Sequence, residues 1–564
     1  MGRIPRIVSL PRLSYRTLKV VRSYHIDASK RHELFAVTTR RWLYNEEQQR
    51  AMRYVPFDVQ ALVDVATQAA GANRCTSIDK VQDGILNRVL SLKFDNDAEL
   101  IAKIPFPVAG PKHFCTASEV ATMDYLRTEH GIPTPVVRAW CSRAESSPVG
   151  IEYILYDKIP GVQLALLDRN DLPLEDDPFI EILLTIQAIE TRLAAVVFSQ
   201  IGSIYYKEDV PEPLRNRPLY AKWITPKANS ARFCIGPTVD REFWRAGRAA
   251  LDIDRGPWPD AQSWMSALGA WVRASIAGHP GEQVKQKYNG LISDYEQLVP
   301  HIAPKKNKHF ILWHPDFYPR NILISEGRPS LLNGIIDWQG AIVTLDSIQL
   351  MIPPVYDCEP HPLVVWSDSP EELPTLAVDL NSLDDDKKQD ALLAYRRAER
   401  KRVHEIILWG KDPTLAKEMF DMRGAVAKRS FLQPVLAITR GMTEGLTIIR
   451  KSLLECRTMW PLIKGEDVPF PLDIPDADVQ RIDQEWDLLV REEKSRSKIL
   501  EGLGIEAASD GSVDADRYDA IKHAFDEAKA RALEKVIDPE ERRRLSRHWP
   551  WPEEHLSLSA ELCH

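Results

Sequence analysis

Two short segments constrain this chain more than anything else in it: Leu312-Trp313-His314-Pro315-Asp316-Phe317-Tyr318-Pro319-Arg320-Asn321-Ile322-Leu323-Ile324 and Gly334-Ile335-Ile336-Asp337-Trp338-Gln339-Gly340. The apolar runs 311–313, 321–324 and 334–336 read as short strands, punctuated by Pro315, Pro319 and the cluster Glu326-Gly327-Arg328-Pro329. That pattern places Asp316 on a loop and Asn321 and Asp337 on a hairpin. Two carboxylates and an amide that converge offer hard oxygen ligands for Mg2+, with a carboxylate oxygen left over to orient a hydroxyl. Phosphoryl transfer, which relies on positioning and charge neutralisation, needs parts of this kind.

A chain of 564 residues exceeds what a single core supports, so several domains are expected. The balance of 73 basic against 81 acidic residues gives a net charge of −8, which argues against general nucleic-acid binding. Seven cysteines form no CxxC pair and no metal-ligand spacing, and read as reduced thiols. No apolar run approaches the roughly 18 residues that a membrane span requires.

The first 26 residues hold Arg3, Arg6, Arg12, Arg16, Arg22 and Lys19 and no acid before Asp27. This is the composition of a mitochondrial transit peptide, and it implies contact with the import machinery; the bland reading is a basic solvated arm. We place the presequence and arm at 1–35. A helix over 58–70, capped by Asp58, precedes three strands at 74–78, 87–94 and 98–104, an antiparallel meander. Lys103 lies within the apolar run Ile101-Ala102-Lys103-Ile104, where burial demands a partner. Glu119, on a helix expected over 117–129 and stopped by Gly131, is the natural candidate. A further strand over 151–157 is broken by Lys158-Ile159-Pro160-Gly161, a hinge.

Beyond the hinge the chain reads as mostly helical, with helices at 179–198, 240–251, 264–277, 281–298, 387–409, 413–428 and 434–454. The acidic stretch before 386 reads as a solvated loop and helix N-terminal acids. Two more helices, 478–503 and 514–537, present stripes such as Tyr518, Ile521, Phe525, Ala528 and Ala532, and read as a clamp on the main body. The fold class is α+β: a small antiparallel β-rich lobe at 36–157, a large, mainly helical lobe at 158–465 and a helical extension at 466–564.

A strand lysine, a helix glutamate, a hinge, then His314-x-Asp316-x4-Asn321 and Asp337 follow in an order that resembles the protein-kinase-like fold. More narrowly it resembles the aminoglycoside phosphotransferase (choline/homoserine kinase) family. Arg41-Trp42-Leu43-Tyr44-Asn45-Glu46 and Gly334-Ile335-Ile336-Asp337-Trp338-Gln339 are similar to a fungal group within it, altered inheritance of mitochondria protein 9. The resemblance covers residues 40–460 and implies an ATP- and Mg2+-dependent phosphotransferase in the mitochondrion, acting on a small-molecule hydroxyl. The alternative is a nucleotide-binding scaffold without turnover. It implies Asp316 as the residue that orients or deprotonates the acceptor, with His314 bracing that catalytic loop. Asn321 and Asp337 are the implied metal ligands, Lys103 the phosphate contact and Glu119 its holder. The strand from Tyr153 to Asp157 would contact adenine through its backbone. Three departures stand out: only Gly84 in the turn over the phosphates, Tyr318 where relatives carry a cation, and Trp338-Gln339 after the metal aspartate.

Overall fold

After a short β1 (Arg40–Trp42), five strands form one antiparallel sheet: β2 (Cys75–Asp83), β3 (Asn87–Phe94), β4 (Glu99–Pro105), β5 (Val137–Cys141) and β6 (Tyr153–Asp157). Their order is β2-β3-β4-β6-β5. In this computed structural model the described residues are 27–536, apart from 168–177, 246, 305–308, 351–353, 357, 421 and 506–509, with a few positions between 539 and 549. The expected import segment at 1–26 lies outside the described residues.

The sheet's inner face is set by the period-two alternation of its strands. Leu90, Leu92, Leu100, Ala102, Ile104 and Leu155 pack with Leu62, Val63 and Ala66 of the helix Val59–Ala69. Asp58 caps that helix by accepting from the Ala61 amide at 2.9 Å. Lys103, flanked by Ala102 and Ile104 on β4, therefore projects to the opposite face, toward the helix Phe114–His130. That helix starts three residues before the expected 117. It ends where Gly131, at φ 61°, adopts the left-handed conformation that glycine tolerates.

The hinge leads into β7 (Val162–Gln163), which joins β11 (Ile322–Ser325) and β12 (Arg328–Ile335) in a three-stranded sheet of order β12-β11-β7. Here the second hairpin strand begins well before 334. Between them run β8 (Ser203–Tyr206), β9 (Phe233–Gly236) and β10 (Phe310–Leu312), and β13 (Val343–Leu345) pairs antiparallel with β10. Helices Pro178–Ala194, Ala261–Ala277, Glu282–Ile302, Met422–Glu444 and Leu446–Lys464 enclose the large core.

Two helical expectations fail. The described residues of 240–251 form only the turns Arg241–Phe243 and Arg248–Ala250, with Gly247 at φ 76° before the second. There Arg248 and Arg255 donate to backbone carbonyls that a helix would have used itself. The expected boundaries near Lys428 and Pro434 are also wrong: Pro434 sits inside Met422–Glu444, and the break falls at Gly445, φ 96°. The β8–β9 pair was not foreseen, because all eight of its residues are buried and show no alternation.

The C-terminal extension clamps the small lobe. Helix Asp476–Gly502 leaves the large lobe, held there by Arg450–Glu485 and Lys451–Asp483 ion pairs, and strand Ser512–Asp514 then pairs antiparallel with β1. Leu43 joins Leu500, Ile505, Tyr518, Ile521 and Phe525 in a satellite core beneath this pair.

Candidate active site

Lys103 is 5 % exposed. Its ammonium lies 2.7 Å from Glu119 Oε1 and 2.6 Å from Asp337 Oδ1. Burial works against the lysine's charge, but Asp337 and Glu119 outweigh it and raise its pKa. Burial likewise opposes the Asp337 carboxylate, yet Lys103 holds its pKa below the ordinary value. Glu119 is raised by burial, which Lys103 offsets only in part. One cation facing two carboxylates leaves this cluster one positive charge short of neutrality. Asp337 has φ 65°, left-handed backbone that aspartate tolerates better than most residues.

The loop before β11 is fixed from three sides. His314 is buried, its Nδ1 accepting from the Asp316 amide at 3.0 Å and its Nε2 lying 2.9 Å from the Ile336 carbonyl. A carbonyl can only accept, so the ring is the neutral Nε2–H tautomer, and burial lowers its pKa accordingly. Both nitrogens are committed, and neither is left for a reacting atom. His314 thus ties Asp316 to the residue preceding Asp337, and Trp338 packs edge-on against its ring at 4.4 Å.

Asn321 Nδ2 donates to the Asp316 carbonyl at 2.8 Å and to Asp316 Oδ2 at 2.9 Å. That orients the amide and leaves Oδ1 without a donor among the described residues. The Asn321 carbonyl accepts from the Ile336 amide at 2.9 Å, and Ile322 faces Ile335 across the ladder, so Asn321 and Asp337 are brought side by side. Asp337 Oδ2 also has no donor among the described residues. An amide oxygen and a carboxylate oxygen fit Mg2+, which takes few protein ligands and shares itself with phosphate oxygens and water.

Two of the expected site residues stand apart. Tyr153 is 1 % exposed and belongs to the small-lobe core, while Asp157 is held by Arg138 at 2.7 and 2.6 Å. Moreover β6 lies between β4 and β5, which occupy its backbone along both edges. As a central strand, β6 has its backbone engaged along both ladders, and the chain leaves those ladders past Asp157.

Three sets of contacts escaped sequence reasoning. Arg320 Nη2 donates to both Asp316 oxygens, at 2.9 and 2.8 Å, with its guanidinium 4.3 Å above the Tyr318 ring. The loop that lacks a cation at 318 therefore carries one at 320, and the i, i+4 spacing from Asp316 was the available signal. Asn87 and Gln339 exchange amide hydrogen bonds at 2.8 and 3.0 Å, fastening the β2–β3 turn to the loop after Asp337. Arg53 makes the third, donating to the Ile85 carbonyl in the middle of that turn at 3.1 Å. The glycine-poor turn is thus held by side chains, and Trp338-Gln339 is anchored on both residues.

Two lobes joined by a hinge, with this lysine cluster facing this loop, define the class of kinase-like phosphotransferase folds. The family described as Phosphotransferase enzyme family matches residues 77–344. A subtelomeric hrmA-associated cluster protein of Aspergillus fumigatus is 30% identical over 370 residues, 58% of this chain and 68% of its own length. Altered inheritance of mitochondria protein 9, mitochondrial, of Saccharomyces cerevisiae is 22% identical over 542 residues, 80% of this chain and 83% of its own. Among solved structures, the macrolide 2′-phosphotransferase MphH of Brachybacterium faecium aligns with 73% of this chain and 99% of its own covered, at 13% identity and a TM-score of 0.28. The chain belongs to the phosphotransferase enzyme family.

Proposed function

We propose that the protein is a mitochondrial phosphotransferase that moves the γ-phosphoryl group of ATP, with Mg2+, to the hydroxyl of a small molecule. The observation that carries this reading is the Lys103 ammonium shared by Glu119 and Asp337, next to an Asp316 whose orientation Asn321 fixes. In this reading residues 36–157 carry the nucleotide, 158–465 the catalytic loop and the acceptor, and 466–564 a clamp. Adenine would meet the hinge at 158–161, past the laddered β6.

Lys103 would contact the α and β phosphates, and Glu119 keeps its ammonium from collapsing wholly onto Asp337. Asn321 Oδ1 and Asp337 Oδ2 would hold the metal. Bound there, Mg2+ would draw charge from the β and γ phosphate oxygens. Asp316 Oδ1, which among the described residues accepts only from Arg320, would accept the hydrogen bond of the acceptor hydroxyl. A lone pair of that hydroxyl oxygen forms the new bond to the γ-phosphorus as the bond from phosphorus to the β–γ bridging oxygen breaks. The leaving electrons stay on ADP, and the hydroxyl proton passes to Asp316. Arg320, already at the carboxylate, supplies positive charge beside the transferring group.

The test is to incubate the protein with ATP, Mg2+ and a metabolite extract and to follow ADP and new phosphorylated species by mass spectrometry. Asp316→Asn is expected to lower turnover by about 10²- to 10⁴-fold while leaving ATP affinity in place. A second reading, a nucleotide-binding scaffold without turnover, is favoured by Arg320 occupying both oxygens of Asp316. Stabilisation by ATP with Mg2+ but no phosphorylated product would select it, and the lack of both responses would remove either reading. For the location, a reporter carrying residues 1–35 should be taken up by isolated mitochondria; one that stays outside removes that part.

A further inference from the structure

The turn between β2 and β3 has no glycine-rich loop to shape it, and one of the side chains that hold it is braced from the far end of the chain. Arg53 is 4 % exposed and spreads its guanidinium over three sets of partners. Nε donates to the Ile85 carbonyl at 3.1 Å, Nη1 to the Gln49 carbonyl at 3.1 Å and Oε1 at 2.7 Å, and Nη2 meets Asp510 at 3.4 Å. Asp510 precedes the extension's strand Ser512–Asp514 and is fixed in turn. Its Oδ2 accepts from the Trp42 indole at 3.1 Å and its Oδ1 from the Ser512 amide at 3.1 Å, and the Trp42 ring lies 4.7 Å beneath the Arg53 guanidinium. Asp510 is the one acid paired with Arg53 among the described residues. On the other side of the turn, Asn87 is fastened to Gln339, two positions from Asp337.

We propose that the C-terminal extension is a working part of the nucleotide site: Asp510, through Arg53, sets the position of the Gly84–Leu86 turn against the phosphates. This rests on the nucleotide-binding reading given above. Backbone amides of a short turn cradle phosphate only if the turn is held close and rigid, a task that glycines perform elsewhere by allowing tight approach. Here a buried guanidinium performs it from behind. A guanidinium buried without its acid is costly, so loss of Asp510 draws Arg53 toward water and away from Ile85. Asp510 and Arg53 are positioning residues, with no direct contact to the nucleotide.

Because the turn would face phosphates and not the base, the relay predicts a selective defect. Full-length protein and Asp510→Ala are titrated with ATP plus Mg2+ and, separately, with adenosine. The variant is expected to bind ATP about five- to tenfold more weakly, with adenosine affinity within about twofold of wild type. Arg53→Lys, which keeps the charge but cannot reach Ile85, Gln49 and Asp510 together, should reproduce the pattern, and it carries the test if Asp510→Ala does not fold. Unchanged ATP affinity, or equal loss for ATP and adenosine, overturns the relay while leaving nucleotide binding intact. Wild-type protein that binds neither ligand removes both the relay and the reading beneath it.

Discussion

Lys103→Met is expected to lower thermal stability at neutral pH and to regain part of that loss, relative to wild type, in mild acid. In the wild type the ammonium serves the buried Glu119 and an Asp337 whose side chain is 39 % exposed. Removing it leaves Glu119 buried without its cation, and breaking a buried pair of this kind costs about 3–5 kcal/mol, while the loss at the part-exposed Asp337 is screened by water and adds little. The sign of the pH effect follows from linkage. With Lys103 present, the Asp337 pKa is held below its unfolded value, so its contribution is present above that value and lost as pH falls through the folded one. The raised Lys103 pKa contributes fully below the lysine's unfolded value and is lost only in strongly alkaline solution. Without the lysine, nothing offsets the burial that raises Glu119, so the folded variant takes up a proton there more readily than its unfolded chain. The variant should therefore recover part of its deficit between pH 7.5 and about 5.5. Thermal midpoints of both proteins at the two pH values decide this: parallel curves, or a deficit below about 1 kcal/mol, would show that the cluster is not the coupled unit described.

The same cluster shows what was legible in the sequence and why. Lys103 could be read because an ammonium among Ile101, Ala102 and Ile104 has a burial cost that demands an answer, and Glu119 lay close enough in sequence to be named. β3 runs from Asn87 to Phe94 as expected, since a dense apolar run ends at a turn where Asp97 adopts φ 61°. The stripe on the last helix could be read too: Tyr518, Ile521 and Phe525 are buried. Asn87 and Gln339 are separated by 252 positions, and Arg53 and Asp510 by 457. Each looks like an ordinary solvated polar residue until the fold supplies its partner. Tyr153 and Asp157 illustrate the converse. Their strand was legible along the chain, but its neighbours were not: β5 lies beyond β6, so both edges of that strand are laddered.

Gly161→Ala is the substitution expected to separate the two lobes' registration from everything else. Gly161 has φ 107°, and a Cβ there would lie 2.0 Å from the Ile324 carbonyl oxygen and 2.9 Å from Asn333 Nδ2. The obstacle is backbone, which cannot rotate aside. The hinge lies so close because β7 pairs with β11, Val162 facing Ile324 and Gln163 facing Leu323, and because Asn333 donates to the Pro160 carbonyl at 2.8 Å. Alanine must push the hinge off the hairpin that carries Asn321 at its start, at a cost of about 3 kcal/mol or more from overpacking and backbone strain together. Gly150 provides the control: its φ is 78°, yet a Cβ would meet nothing within 4 Å. Gly150→Ala should show the strain alone, about 1 kcal/mol. Thermal midpoints give the difference between the two variants, and nucleotide titration of Gly161→Ala shows whether the loss extends to the site. If the two alanine variants are destabilised equally, the hinge is not seated on the catalytic hairpin, and the lobes are registered by the clamp instead.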